Sequence, residues 1–180
     1  MKFNPFVPNG IAYPGMFIGR LDEIQTIEQA LFQTLNGNPQ HLLLTGERGI
    51  GKSSLLFYAD LVARGEIEDD HTNFNFITVS TDLAGISSQV GLIKQVAREL
   101  RSKLRQHQKL QDKARKVWEF LSNWEVLGVK YNARDDELDP DELLDDLVTI
   151  CDQLIGSEQF DGVVFLLDEA DSPPAAANLG

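Results

Sequence analysis

Gly46, Gly51, Lys52 and Ser53 follow the order Gly, four residues, Gly, Lys, Ser within the stretch "GERGIGKSS", residues 46–54. These residue types at this spacing suit a phosphate chain. Glycines let the backbone wrap closely with N–H groups turned inward, and a helix that starts behind them adds its positive end. A lysine closing such a loop reaches the β and γ phosphates as a point charge, and the hydroxyl after it ligates Mg2+. The pattern is that of a P-loop, with Glu47, Arg48, Gly49 and Ile50 in its middle and Ser54 as a further contact toward the α phosphate. The competing explanation is a chance glycine turn before a helix.

A magnesium-bound triphosphate also needs a carboxylate, because Mg2+ is hard and octahedral and is usually held by one or two carboxylates with water and phosphate oxygens. The stretch "VVFLLDEAD", residues 163–171, places Asp168 and Glu169 at the end of an apolar run. In α/β sheets ligands bind at the carboxyl ends of strands. Asp168 is therefore the expected metal-side residue, acting through water, and Glu169 the expected general base for an attacking water. The plainer alternative is that these acids only solvate a strand end.

Alternating strands and helices are needed to bring such groups to one edge. "RLDEIQTIEQALFQTLNG" has Ile24, Ile27, Leu31 and Leu35 at helical spacing, acids in its first turn and Gly37 past its end. "HLLLTG", residues 41–46, reads as a short buried strand, and "GKSSLLFYADLVARG" as a helix that stops by Gly65. "NFNFITVS", residues 73–80, reads as a second strand. From 87 to 105 an apolar stripe of Val90, Ile93, Val96, Ala97, Leu100 and Leu104 predicts a long amphipathic helix. A helix over about 110–121 and a weak strand or hairpin at "EVLGVKY" follow. Asp139 caps a helix that opens on Pro140 and ends at Gly156, and "GVVFLLDEAD" is the last strand. The order implies an α/β fold with a largely parallel sheet flanked by helices.

At 180 residues the length fits one domain, and 42% hydrophobic with 24% charged residues is ordinary for a globular chain. The prolines of "MKFNPFVPNGIAYPG" break any secretory apolar stretch and no long apolar run follows, so a cytoplasmic protein without a membrane partner is expected. The single Cys151 excludes an intrachain disulfide and a cysteine-built zinc site; its place on an apolar helix face suits packing better than a reactive thiol. His41, His71 and His107 have no metal-ligand spacing.

The net charge of −12 hides an uneven distribution. Residues 94–116 hold nine of the sixteen Lys and Arg against only Glu99 and Asp112. Lys94, Arg98, Arg101 and Arg105, at spacings of four, three and four, share one helix side, where a DNA backbone or an acidic protein could dock. A solvated helix face explains the same run. Trp118 and Trp124 suit core packing or stacking on a base.

With the glycine loop as Walker A and the acidic strand end as Walker B, the chain resembles P-loop ATPases of the AAA+ and STAND superfamily. "MFIGRLDEIQTIEQAL" is similar to the F-x-GR-x-x-E box that precedes the P-loop there, including in origin-recognition-like ATPases. The resemblance implies that Phe17, Ile18, Gly19 and Arg20 line the adenine and ribose pocket; a staple and cap on the first helix is the alternative. The Pro- and Gly-rich residues 1–19 are expected to form an extended arm that ends at the start of this box, followed by a partial P-loop ATPase core over 20–180 with a helical or hairpin insertion over about 106–135. Relatives continue past Walker B into a sensor strand, an arginine finger and a helical lid, whereas this sequence ends eleven residues after Glu169. The fold is accordingly expected to be incomplete at the C-terminus, as the amino-terminal part of a longer protein.

No Asn-Lys-x-Asp guanine reader occurs, which favours ATP and ADP. The functional expectation is Mg2+-dependent ATP hydrolysis with Lys52 and Glu169 as the chemical residues, driving a switch on DNA or protein, with homo-oligomerisation open. The alternative is a nucleotide-dependent interaction or signalling module that hydrolyses little. A small-molecule kinase shares the loop, but adjacent Asp168 and Glu169 favour water as acceptor.

Overall fold

A computed structural model describes residues 19–67, 73–106, 138–155 and 159–170. The chain forms two compact units, residues 1–75 and 76–180. The expected arm, most of the insertion including the 110–121 helix and the hairpin, and Trp118 and Trp124 lie outside the described residues.

The first unit is a pair of helices joined through the glycine loop. Helix α1, Leu21–Leu35, carries Asp22 and Glu23 in its first turn, where the helix dipole favours acids. It ends where the Gly37 amide reaches Thr34 O at 3.0 Å and the Asn38 amide reaches Gln33 O at 2.9 Å. This closure requires the positive φ of 80° that Gly37 supplies. Of the predicted stripe, Ile27 and Leu31 are buried while Leu35 remains exposed. Helix α2, Lys52–Ala63, buries Leu55, Tyr58, Ala59, Val62 and Ala63. The Tyr58 hydroxyl donates to Glu28 Oε1 at 2.5 Å, tying the two helices together at a polar point. The end of α2 repeats the same closure at Gly65 and Glu66, onto Val62 O and Leu61 O.

Residues 41–45 depart from the expected strand. They take no regular secondary structure and join no ladder, and Leu42 and Leu43 are 47% and 79% exposed. A parallel strand exists only by pairing, and the described sheet consists of two other strands. The strand expectation for "HLLLTG" is corrected to an unpaired segment.

The second unit is built on that sheet. Strand β1, Ile77–Asp82, pairs in parallel with β2, Val163–Asp168, in a register running from Ile77 opposite Val163 to Asp82 opposite Asp168. The first strand thus starts four residues later than the aromatic run suggests. Between the strands run α3, Gln89–Gln106, and α4, Pro140–Ile155. Ser88 caps α3, accepting from the Gly91 amide at 3.0 Å. Asp139 caps α4 as expected, accepting from the Asp141 amide at 2.9 Å. Ile77 and Val79, the α3 row Val90, Ile93, Val96, Ala97, Leu100 and Leu104, and the α4 row Leu143, Leu147, Ile150 and Leu154 form one core. Half-buried Cys151 packs at its edge. This core holds the strand ends, and with them the acids, in place. No helix of the described residues is long and apolar enough to cross a membrane.

Candidate functional site

In the first unit the loop before α2 has the backbone that its glycines permit. Gly49 and Gly51 stand at φ 84° and 99°, and Gly46 at 152°. These values belong to the region that side chains rarely enter. Gly46 has a second constraint: a Cβ there would meet Ile50 Cγ2 at 3.0 Å. Glu47 to Ile50 make a turn, the Ile50 amide reaching Glu47 O at 3.3 Å, and Gly51 becomes the N-cap residue of α2. Lys52 Nζ donates back to Gly46 O at 2.9 Å and Glu47 O at 3.2 Å. The lysine thereby closes the loop with its own ammonium group across the mouth.

Lys52, Ser53 and Ser54 form the first turn of α2, where amides have no partner four residues earlier in the helix. The dipole favours an anion at this end. Ser53 is exposed and its hydroxyl makes no hydrogen bond among the described residues, whereas Ser54 is buried. A ligand approaching the loop thus meets a cation, helix-end amides and an available hydroxyl.

Arg20 precedes α1 and faces two ways. Nη1 binds Glu23 Oε1 at 3.0 Å, and Nη2 donates to the carbonyl of Ile50. The arginine of the upstream box therefore braces the glycine loop from outside. Gly19, with φ 79°, starts this approach. Phe17 and Ile18 lie outside the described residues.

In the second unit the core delivers β2 to a carboxylate end. Asp168 closes the strand; its Oδ1 accepts from the Glu169 amide at 2.9 Å, leaving Oδ2 as a second acceptor, and its carbonyl accepts from the Leu83 amide at 3.0 Å. Glu169 is exposed and takes φ 55°, the one positive value among described non-glycine residues. A left-handed glutamate costs on the order of 1 kcal/mol, and such conformations cluster where direction matters more than comfort.

Sequence reading missed Asp82. It is the register partner of Asp168, so two carboxylates end neighbouring strands on the same face of the sheet. Its Oδ1 accepts from the Ala84 amide at 2.8 Å. The available signal was that "FITVSTD" and "VVFLLD" both run from apolar residues into aspartate. Among the described residues no group of three His, Cys, Asp or Glu side chains gathers to form a metal cage.

The basic row on α3 is only partly as expected. Arg98 and Arg105 are exposed and Arg101 is half-buried, but Lys94 is 4% exposed. Spacing put Lys94 on the arginine side; burial withdraws it from any docking partner. Desolvation, and then the neighbouring Arg105, lower the Arg101 pKa from its ordinary value. An arginine remains cationic at neutral pH despite this.

No curated protein and no solved structure matches the chain. A family model described as AAA ATPase domain matches residues 16–178, from the box before α1 to beyond the acids after β2. That span takes in both glycine loop and acidic strand end, and the chain belongs to the AAA ATPase domain family.

Proposed function

We propose that the chain binds ATP at the glycine loop and hydrolyses it with Mg2+, as a nucleotide-driven switch of the AAA+ or STAND type. The observation that carries this reading is the Lys52 ammonium folded onto the carbonyls of Gly46 and Glu47 at the mouth of a loop with positive-φ glycines. The Gly46 and Glu47 carbonyls hold the place at the Lys52 ammonium that phosphate oxygens would compete for. Exchange of those carbonyls for β and γ oxygens trades neutral acceptors for charged ones, which bind an ammonium more strongly.

The residues suit the ion as well. Exposed Ser53 and the carboxylate of Asp168 are hard oxygen donors, and Mg2+ typically takes one or two protein oxygens alongside phosphate and water. When bound, the ion neutralises charge on the β and γ oxygens. The loop amides and Lys52 orient the triphosphate, Asp168 takes the metal side, and Glu169 accepts the proton of an attacking water. Arg20 and Gly19, with Phe17 and Ile18, are assigned to the base side. Exposed Arg98 and Arg105, with half-buried Arg101, supply the contact to DNA or an acidic protein partner.

Calorimetry with ATP and Mg2+ tests the binding step: Lys52→Ala lowers affinity at least tenfold, and equal affinity in both forms rejects the assignment. Glu169→Gln is expected to keep binding and lose multiple-turnover phosphate release. Tight binding by the parent protein without phosphate release would instead identify a nucleotide-dependent interaction module.

A further inference from the structure

Helix α4 carries a second apolar stripe. Its buried row is Leu143, Leu147, Ile150 and Leu154, at spacings of four, three and four. Each position plus one gives Leu144, Val148, Cys151 and Ile155, the same spacing turned by about 100°. Leu144, Val148 and Ile155 are 48%, 50% and 49% exposed, and Cys151 is half-buried between the two rows. Single exposed apolar residues are common on protein surfaces, but a row of them over roughly 16 Å of helix forms a patch. Along the far side of this row lie Asp141, Asp145 and Asp152, all exposed and in no ion pair among the described residues.

We infer that Leu144, Val148, Cys151 and Ile155, with the rail of Asp141, Asp145 and Asp152, form a docking surface for a cationic amphipathic helix of a partner protein. Charge selects this occupant. Three carboxylates beside the stripe, unpaired among the described residues, repel a nucleic-acid backbone and an anionic membrane, and attract a helix whose apolar stripe is bordered by Lys or Arg. A second copy of this chain offers no matching helix among the described residues. The exposed arginines of α3 have no exposed large apolar residue beside them, and the exposed Leu21, Phe32 and Leu35 of α1 share their helix with Asp22, Glu23 and Glu28. The surface is distinct from the nucleotide loop and does not depend on its assignment.

The test is fluorescence anisotropy of the 180-residue protein with three labelled synthetic helical peptides: a Leu/Lys amphipathic helix, the same helix with Glu for Lys, and a scrambled Leu/Lys sequence. The Leu/Lys helix is expected to bind at least tenfold more tightly than the other two, with affinity falling steeply as salt rises. Leu144→Ser with Val148→Ser, and separately Asp145→Lys with Asp152→Lys, should each weaken it at least tenfold, while Phe32→Ser on α1 should not. Hydrogen exchange of the parent protein with the Leu/Lys peptide should slow over residues 140–155. That measurement decides the matter without variants if a substitution disturbs folding. Equal binding of the scrambled peptide, undiminished binding by the Leu144/Val148 variant, or protection confined to other segments overturns the proposal. So does self-association in sedimentation, or binding to phosphatidylserine vesicles, that the same double variant removes.

Discussion

Replacement of Gly51 by alanine separates the glycine loop's two duties. Gly51 sits at φ 99° as the residue from which α2 springs, and a Cβ built there meets nothing within 4 Å. The cost of Gly51→Ala is therefore conformational, about 1–2 kcal/mol for a left-handed alanine. Restriction of the unfolded chain returns about 0.4–1 kcal/mol. A net loss of roughly 0.5–1 kcal/mol should lower Tm by only about 1–4 °C in a chain of this size. Nucleotide affinity should suffer far more. If residue 51 relaxes to negative φ, the peptide planes on either side rotate and turn away the loop amides that the proposed function assigns to the phosphates. Each hydrogen bond to a charged oxygen is worth about 1.5–3 kcal/mol, so loss of one lowers affinity roughly ten- to a hundredfold. Gly51→Asn should recover much of this, since asparagine enters the left-handed region more readily. Gly65→Ala is the contrast: φ is again positive at 68°, but the added Cβ collides with the Phe74 carbonyl and comes within 2.5 Å of Asn73 Oδ1. It should cost about 3 kcal/mol or more, chiefly in stability. Thermal melts and ATP calorimetry on the three variants decide. Gly51→Ala with parental affinity, or with a Tm loss as large as that of Gly65→Ala, refutes the reasoning.

Arg20→Ala removes the brace on the Ile50 carbonyl together with a partly buried ion pair to Glu23. The expected result is an ATP affinity lower by about three- to tenfold with a melting temperature close to that of the parent, and unchanged affinity would count against the brace. Thr81 is buried on β1 and its hydroxyl has no partner among the described residues. Thr81→Val should raise the urea midpoint, by about 1 kcal/mol of stability; a lower midpoint would mean that the hydroxyl is satisfied. Burial first, and then the charge of Asp152, push the Cys151 thiol up to about 11, with a smaller opposing backbone hydrogen bond. At pH 8 its alkylation should be roughly a hundredfold slower than that of an ordinary thiol. Because the folded pKa is the higher one, this group's contribution to stability is full below pH 9 and is lost as pH rises from 9 to 11. Alkylation at the ordinary rate would show that the thiolate forms freely.

The features legible in the sequence are those encoded by neighbouring residues. The caps at Asp139 and the closures at Gly37 and Gly65 each use donors and acceptors within a few positions, so their residue types announce them. Helix α2 begins where the glycines and Lys52 indicate, because turn and helix start require nothing from the rest of the chain. The α3 and α4 core rows follow from apolar period alone. Period does not fix which positions beside such a row become covered. Lys94 shares a helix side with Arg98 and Arg105 yet is buried, while Leu144 and Val148 lie one step from the core row yet face solvent.

Strands and site contacts obey the opposite condition. "HLLLTG" has the composition of a buried strand, but hydrogen bonds of a parallel ladder belong to two segments at once, and residues 41–45 share none with the described strands. The same dependence explains why β1 starts at Ile77 instead of Asn73: its start is the point where Val163 stands opposite, and Phe74 and Phe76 are buried without joining the ladder. Asp82 gains its place beside Asp168 only through that register, and Arg20 its place on Ile50 only when residues thirty apart in sequence meet. A one-residue slip of β1 against β2 would turn Val79 off the core and move Asp82 away from Asp168 together. The packing that buries Val79, Leu100, Ile150 and Leu154 is therefore also what sets the spacing of the two carboxylates, so a substitution in that core should disturb the acidic strand end even where it touches neither aspartate.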